Sequence, residues 1–330
     1  MGLYRAVARP LLFALPPEAA HRVAGALLGL PLPWSRIGGA PDDPALRVSL
    51  HGIALANPIG LAAGFDKSCT HLDALGRLGF GYVVGGTVTR APRRGNAKPR
   101  MVRDSDRGAL LNSMGLPNPG ADAAAEALRR SERTAPRIVS LADEGVEDVL
   151  AAFGVLEPLV DGFELNSSSP NAGWEHELAH VDLLVRELRA RTGKPILVKL
   201  PRFETDEERD GVLGMAVVAR DAGASGLTCS NTRPVEDARL STGRGGLSGR
   251  PLSELTPGIV REVLEATGGT VPVHACGGIS TAEDALACLR AGATTVQVYT
   301  GLVFEGPRIV GNIARGLAAF RLGYSPEQAR

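Results

Sequence analysis

The chain has 330 residues, and its 36 Lys and Arg balance 36 Asp and Glu, so the formal net charge at pH 7 is zero. This balance excludes the basic surface expected of a protein whose main partner is nucleic acid, and a small uncharged substrate is the more natural partner. The length fits one large domain or two small ones. Four cysteines without a CxxC spacing, two of them within apolar runs, indicate a reducing compartment.

The first 38 residues predict a short extension of two helices. Pro17 fits the first position of a helix with Glu18 in its first turn, and apolar residues recur at helical spacing over residues 20–28. Earlier in the extension, Leu and Val recur at every fourth position of residues 3–15, and Pro10 predicts a kink or break there.

The apolar run at residues 23–34 is interrupted by Pro31 and Pro33. It is also shorter than the roughly 20 residues that cross a bilayer, so we predict no transmembrane helix. No secretory signal is evident, because prolines break the first apolar stretch and no convincing cleavage pattern follows it.

Beyond residue 56, short runs of apolar and β-branched residues alternate with helix-length segments. The eight runs are Ile59 to Ala63, Tyr82 to Gly86, Arg137 to Leu141, Gly162 to Leu165, Pro195 to Leu200, Gly226 to Cys229, Val271 to Ala275 and Thr295 to Val298. This pattern predicts βα units with a parallel sheet, and eight units over about 270 residues fit an α/β fold of the (β/α)8 TIM-barrel type. We therefore expect a helical extension at 1–38 and a barrel at 39–330.

Polar residues or glycines follow each predicted strand, and in a closed barrel these positions converge on one rim, where active sites of this fold lie. Turns also require such residues, so a single position indicates little. Lys67 and Lys199 are different, because a lysine in or just after a buried strand is costly unless it meets an anion or a polar ligand. These two lysines predict a site at the rim.

Several motifs together resemble the dihydroorotate dehydrogenases. They are GLAAGFDK (60–67), GTVT (86–89), GNAKPR (95–100), LNSMGLPNPG (111–120), ELNSSSPN (164–171), VKL (198–200), SNT (230–232), GGLSGRPL (245–252), CGGI (276–279) and VQVYTG (296–301). The resemblance extends from near the N-terminus to about residue 310. The opening LLFALPPEAAHRVAGALL is similar to the helical extension of the membrane-associated class 2 enzymes, which use quinones. The soluble class 1 enzymes lack this extension.

The resemblance implies FMN-dependent oxidation of dihydroorotate to orotate, a CH–CH oxidation of pyrimidine biosynthesis, with a quinone as electron acceptor. FMN is also favoured over FAD or NAD because no GxGxxG fingerprint follows a strand. Backbone N–H groups near Gly277, Gly278, Tyr299 and Thr300 would hold the phosphate. The resemblance assigns the rest of the cofactor to Ala63, Gly64, Lys67, Thr87, Ser140, Asn166, Lys199, Ser230 and Gly249. Lys199 would compensate negative charge near N1 of the reduced flavin.

For the pyrimidine, the resemblance implies contacts with the ring amides and the carboxylate. The residues are Lys67, Asn112, Asn166, Asn171, Asn231 and Thr232, together with the segment Ser113, Met114, Gly115 and Leu116. Asparagine is apt because it presents both a donor and an acceptor. Asn118, between proline residues and a glycine, is equally expected as a turn residue.

Ser169 takes the position of the catalytic base, which removes a proton from C5 while C6 delivers hydride to the flavin N5. Class 1 enzymes have cysteine at this position, and serine marks class 2. A free serine is a poor base, so the site must supply hydrogen bonds or a proton path. Ser167 and Ser168 are alternatives, although the spacing to Asn166 and Pro170 favours Ser169.

Three segments depart from the class 2 pattern. VSLADEG (139–145) replaces an Asn-Ile-Gly-Lys run and resembles class 1. Ser113, Leu116 and Pro117 stand where class 2 usually has arginine, phenylalanine and asparagine, and residues 172–176 replace the usual lid Thr-Pro-Gly-Leu-Arg. Another dihydropyrimidine or a cyclic ureide is therefore an alternative substrate. A barrel that binds flavin without turnover is a third hypothesis.

Retention of Lys67, Ser169, Asn171 and Lys199 speaks against a barrel without turnover. We expect peripheral association with the cytoplasmic face of the cell membrane, where Arg5, Arg9 and Arg22 would meet anionic headgroups. The alternative is that the extension only caps the barrel. None of the six histidines has metal-ligand spacing, so we predict no metal.

Overall fold

The structure, a computed structural model, describes residues 4–167 and 174–320. The strands are β1 (Val48–Leu50), β2 (Ile53–Leu55), β3 (Ile59–Leu61), β4 (Tyr82–Val88), β5 (Met101–Asp104), β6 (Ala109–Asn112), β7 (Arg137–Leu141), β8 (Gly162–Asn166), β9 (Ile196–Lys199), β10 (Gly226–Cys229), β11 (Arg233–Glu236), β12 (Arg244–Gly249), β13 (Val273–Cys276) and β14 (Thr295–Val298). The helices are α1 (Arg9–Phe13), α2 (Pro17–Leu28), α3 (Trp34–Gly38), α4 (Leu72–Arg77), α5 (Ala121–Arg130), α6 (Val146–Leu156), α7 (Trp174–Arg189), α8 (Asp206–Asp221), α9 (Thr256–Ala266), α10 (Ala282–Arg290), α11 (Thr300–Glu305) and α12 (Ile309–Ala319).

Over the described ranges, eight parallel strands close into a barrel in the order β3, β4, β7, β8, β9, β10, β13 and β14. Each corresponds to one of the eight predicted runs, so the TIM-barrel prediction is confirmed. All residues of β3, β4, β7 and β9 are buried, because helices cover the outside and side chains fill the inside.

A hairpin of β1 and β2 packs under the amino-terminal end of the barrel. Val48, Leu50 and Leu55 form one apolar cluster with Tyr82 and Val84 of β4. This cluster leaves the opposite end, where the barrel strands finish, for the functional site.

A four-stranded antiparallel sheet, with the order β11, β12, β6 and β5, lies at the carboxyl end of the barrel. Its central pair joins segments that are distant in the sequence, with Gly246 opposite Asn112. Asn112 ends β6, Thr232 precedes β11 and Ser248 lies in β12, so the sheet carries three polar side chains of the site described below.

The extension consists of a π-helical turn (Tyr4–Ala8) followed by α1, α2 and α3. It therefore contains three α-helices, one more than the sequence predicted. Pro17 occupies the first turn of α2 as predicted. Pro10 lies in the first turn of α1, where the backbone changes from π to α geometry. Among the described residues, no helix combines the length and apolar character needed to cross a membrane.

Candidate active site

A cavity of about 670 Å³ opens at the carboxyl end of the barrel. Most of the residues predicted for the site line it, which is the convergence expected of this rim. The predicted residues in its wall are Ala63, Gly64, Lys67, Thr87, Asn112, Met114, Leu116, Asn166, Lys199, Ser230, Asn231, Thr232, Gly249, Gly277, Gly278, Tyr299 and Thr300.

Other predicted residues lie behind the wall or beyond the described ranges. Ser113 and Gly115 belong to the loop that carries Met114 and Leu116 without lining the cavity. Ser140 is fully buried, and its hydroxyl lies 3.0 Å from the Thr87 hydroxyl, so it supports a lining residue. Ser169 and Asn171 lie outside the described residues, as do Ala172 and Gly173 of the predicted lid.

Lys67 lies on the loop after β3, and its ammonium donates a hydrogen bond to the Gly64 carbonyl. Burial lowers the pKa of Lys67 to about 8; the Arg100 charge also lowers it, while Glu18 and Asp66 raise it. Because burial lowers the pKa of Lys67, an anion bound beside the lysine would stabilise its charged form.

Lys199 lies at the end of β9, and its ammonium is 3.9 Å from Oε1 of Glu164 in β8. Glu164 is fully buried, and its Oε2 accepts hydrogen bonds from Thr228 (2.9 Å) and Gln297 (3.1 Å). Burial acts to lower the pKa of Lys199, but the Cys276 sulfur and the Glu164 carboxylate raise it, and the net direction is upward. The barrel interior therefore holds a cation at the floor of the cavity.

The asparagine side chains form hydrogen bonds along the cavity wall. The Asn231 amide donates to Oδ1 of Asn166 (3.3 Å), and the Asn166 amide donates to the Thr87 hydroxyl (3.4 Å). The Asn112 amide donates to the Gly246 carbonyl (3.4 Å).

Asn118 does not line this cavity. Its Oδ1 accepts from the backbone N–H groups of Thr89 (3.2 Å) and Gly120 (2.9 Å), and its amide donates to the Leu116 carbonyl (2.9 Å). These bonds fix the turn before α5, so the interpretation of Asn118 as a turn residue is confirmed.

Glycine residues bring the backbone to the cavity wall after β13. Gly277 and Gly278 have φ values of +122° and +79°, which non-glycine residues rarely adopt. A Cβ on Gly278 would lie 2.2 Å from the Ser253 nitrogen, so no side chain fits there. The Thr300 hydroxyl lies 2.8 Å from that of Ser248 across the cavity wall.

Sequence reasoning missed several lining residues, including Met101, Ser248, Arg250 and Gln297. Gln297 had a usable signal, because a polar side chain within the apolar run VQV is as unusual as the lysine in ILVKL. Its Oε1 is buried without a hydrogen-bond partner within the described part of the chain. Met101 and Ser248 gave no such signal, since they lie in short strands of the accessory sheet.

A second cavity, of about 270 Å³, lies between the extension and the barrel. Its lining is mainly apolar and comes from α1, α2, α4, α11 and the loop after β3. The side chains of His21, Phe65 and Tyr299 succeed one another along it, with ring centroids 5.2 and 5.7 Å apart. Met101 and Tyr299 belong to the walls of both cavities, so the polar and apolar cavities are neighbours.

Burial favours the neutral forms of two polar groups that line this second cavity, His21 and Tyr299. Burial lowers the pKa of His21 to about 4, and the Lys67 charge adds to this effect. Burial raises the pKa of Tyr299 to about 12. An uncharged, apolar molecule is therefore the natural occupant.

A family model for dihydroorotate dehydrogenase matches residues 45–320. The chain belongs to the dihydroorotate dehydrogenase family. It is 38% identical to a protein of Roseiflexus sp. (strain RS-1) named dihydroorotate dehydrogenase (quinone), over 95% of this chain and 93% of that one. A protein of the same name from Anaeromyxobacter sp. (strain Fw109-5) is 40% identical, over 93% and 90% of the two chains.

Solved structures of the family share the fold. The dihydroorotate dehydrogenase of Eimeria tenella, in complex with ferulenol, superposes with a TM-score of 0.79 at 28% identity, covering 97% of each chain. The chain is thus a flavin-dependent oxidoreductase of the dihydroorotate dehydrogenase family, acting on CH–CH bonds. Within the described ranges, no group of three or more His, Cys, Asp or Glu is arranged to hold a metal ion.

Proposed function

We propose that this member of the family oxidises dihydroorotate to orotate in pyrimidine biosynthesis, with FMN as the resident flavin and a membrane quinone as the electron acceptor. One observation carries the proposal: a polar cavity with two lysines and several asparagines adjoins an apolar cavity under the helical extension. A polar substrate and an apolar oxidant can therefore approach one cofactor from different sides.

The polar cavity fits FMN in size and in chemistry. Its volume of about 670 Å³ is within the range of small-molecule sites. Gly277 and Gly278 offer close backbone approach for a phosphate, and the Lys199 charge and the unpartnered Gln297 oxygen suit a ring that carries both acceptors and N–H donors. FMN bound there would supply the two-electron acceptor that protein side chains lack.

The residues of this chain supply binding, orientation and proton handling. The Lys67 ammonium attracts the substrate carboxylate, and Asn112, Asn166 and Asn231 present both donors and acceptors to the ring amides. Ser169, from the segment after β8, removes the C5 proton. Ser167 of that segment donates to the Lys199 carbonyl (3.0 Å), which engages its hydroxyl with the backbone. The spacing to Asn166 and Pro170 favours Ser169 over Ser168 as the base.

The extension is proposed to lie on the cytoplasmic face of the cell membrane and to admit the quinone. Val7, Leu11, Leu15, Val23 and Leu27 of the extension are exposed, as an interfacial segment requires. Ala20, Ala24, Leu27 and Leu28 of α2 also line the apolar cavity. The extension thus combines the role of a cap on the barrel with an apolar surface toward solvent.

Two measurements test the substrate and the cofactor. The chromophore released by denaturation should have the mass of FMN, and recovery of FAD would overturn the cofactor assignment. Anaerobic addition of dihydroorotate should bleach the bound flavin, whereas dihydrouracil, which lacks the carboxylate, should not. Bleaching by dihydrouracil alone would instead support the alternative of another dihydropyrimidine.

A further inference from the structure

Glu18 of the extension forms an ion pair with Arg100, which precedes β5. Oε1 of Glu18 accepts hydrogen bonds from Nε (2.9 Å) and Nη2 (2.8 Å) of Arg100, and the Lys98 ammonium lies 3.7 Å from Oε2. The side chains of Glu18 and Arg100 are only 21% and 12% exposed. An ion pair that is held by two hydrogen bonds and shielded from solvent orients its partners more firmly than an exposed ion pair.

The same guanidinium holds a turn of the main chain. Nη1 of Arg100 donates to the carbonyls of Arg94 (2.6 Å) and Asn96 (3.2 Å). Gly95, between them, has φ +71°, and a Cβ there would lie 2.3 Å from the Met114 carbonyl oxygen. The turn therefore packs directly on the loop that contains Met114.

That loop is the segment that lines the polar cavity. The backbone N–H of Asn96 donates to the Met114 carbonyl (2.9 Å), and its amide donates to the Ser113 carbonyl (2.8 Å). The Ser113 N–H donates to the Arg100 carbonyl (2.9 Å). Residues 112, 114 and 116 of the segment line the cavity, so a continuous chain of bonds joins Glu18 to it.

The charges of the pair also act on Lys67. Four charged or titratable groups face this lysine, namely Arg100, Glu18, Asp66 and His21. Arg100 lowers the pKa of Lys67, and Glu18 and Asp66 raise it. Loss of the Glu18 charge would therefore lower the pKa of Lys67, so that the lysine loses its proton at a lower pH.

We propose that Glu18 and Arg100 are a positioning pair that links the extension to the substrate-binding segment 112–116, so that docking of the extension and binding of the substrate favour each other. This inference rests on the proposed function, because it assigns dihydroorotate and orotate to the polar cavity. The coupling is reciprocal: whatever loosens the extension weakens substrate binding.

The test compares Glu18→Gln with the full-length flavin-bound parent. Glu18→Gln keeps the size of the side chain and removes its charge; Glu18→Asp keeps the charge; Asp42→Asn, which breaks the exposed pair with Arg47, is the matched control. Calorimetric titration with orotate should show binding about tenfold weaker in Glu18→Gln, equivalent to about 1.4 kcal/mol. Its loss of binding at alkaline pH should begin at a lower pH than in the parent, and Glu18→Asp should restore most of both effects.

Amide hydrogen exchange of the flavin-bound protein without substrate gives an independent measurement. Peptides covering 94–100 and 112–116 should exchange faster in Glu18→Gln than in the parent or in Asp42→Asn. Unchanged hydrogen exchange and unchanged orotate binding in Glu18→Gln would overturn the inference. A variant that loses quinone turnover but keeps the parental exchange and orotate binding would overturn it as well. If the parent itself binds no orotate, the proposed function fails, and the exchange data then decide separately whether Glu18 orders the segment.

Discussion

The Lys199 ammonium lies 3.9 Å from the Glu164 carboxylate inside the closed barrel, and both side chains are almost completely shielded from solvent. Removal of one partner from such a pair leaves a buried charge uncompensated, which typically costs about 3–5 kcal/mol. We therefore expect Lys199→Met to lower the free energy of unfolding by roughly that amount. Urea denaturation of the flavin-free protein measures it.

The double variant Lys199→Met/Glu164→Gln provides the control for this prediction. Because it removes both charges, it should be more stable than Lys199→Met alone. Equal stability of the single and double variants would show that the two charges do not interact, and Lys199 would then have to be compensated by other groups.

The pH dependence of orotate binding follows from Lys67, whose pKa burial lowers to about 8. The lysine is charged below this pH and attracts the anion, and the charge is lost as the pH rises through 8. Binding should therefore weaken progressively above pH 8 in titrations from pH 6 to 9. In Lys67→Gln, binding should be weaker by about tenfold or more at pH 7, and this alkaline limb should be absent. A limb of the same shape in Lys67→Gln would assign the titration to another group.

Ser169→Ala tests the proposed base, which belongs to the segment outside the described residues. The variant should retain its flavin, but reduction of the flavin by dihydroorotate should slow by about a hundredfold to ten-thousandfold, as expected from loss of a general base. Anaerobic stopped-flow absorbance measures the rate. Ser167→Ala is the matched control, and reduction of Ser169→Ala at the parental rate would place the base elsewhere.

Membrane association is tested by a charge on the outer face of the extension. Leu11 is 69% exposed on α1, and Leu183 is 47% exposed on α7 of the barrel. Leu11→Glu should reduce binding to anionic liposomes by about tenfold and slow turnover with a long-tailed quinone, while flavin reduction by dihydroorotate is unchanged. Leu183→Glu should leave all three properties unaltered. Equal liposome binding by both variants would contradict the assignment of the extension to the membrane.

The barrel could be predicted from the sequence because each of its strands is a short apolar run with both faces buried. The same physical argument identified Lys67 and Lys199, whose burial requires a polar partner. Glu164 in FELN and Gln297 in VQV carry the same signal, a polar side chain within an apolar run.

The accessory sheet could not be predicted in this way. Its strands have four to six residues, β12 contains three glycines, and β12 pairs with β6 more than 130 residues away. The apolar cavity was not predictable either, because its wall combines side chains from the extension, α4 and α11, which only the fold brings together. Ser140 illustrates a smaller limit, since the sequence does not show whether a strand residue lines the cavity or supports a residue that does.

We propose that electrons pass from dihydroorotate, in the polar cavity, to a quinone in the apolar cavity beside it. The most direct measurement is turnover of the purified full-length protein with dihydroorotate and a long-tailed quinone, with orotate and quinol both quantified. We expect equal amounts of orotate and quinol, and blockage of quinol formation by Ala24→Trp, which fills the apolar cavity, without loss of flavin bleaching by dihydroorotate. Bleached flavin that the quinone cannot reoxidise, or quinol formation unaffected by Ala24→Trp, would contradict the claim.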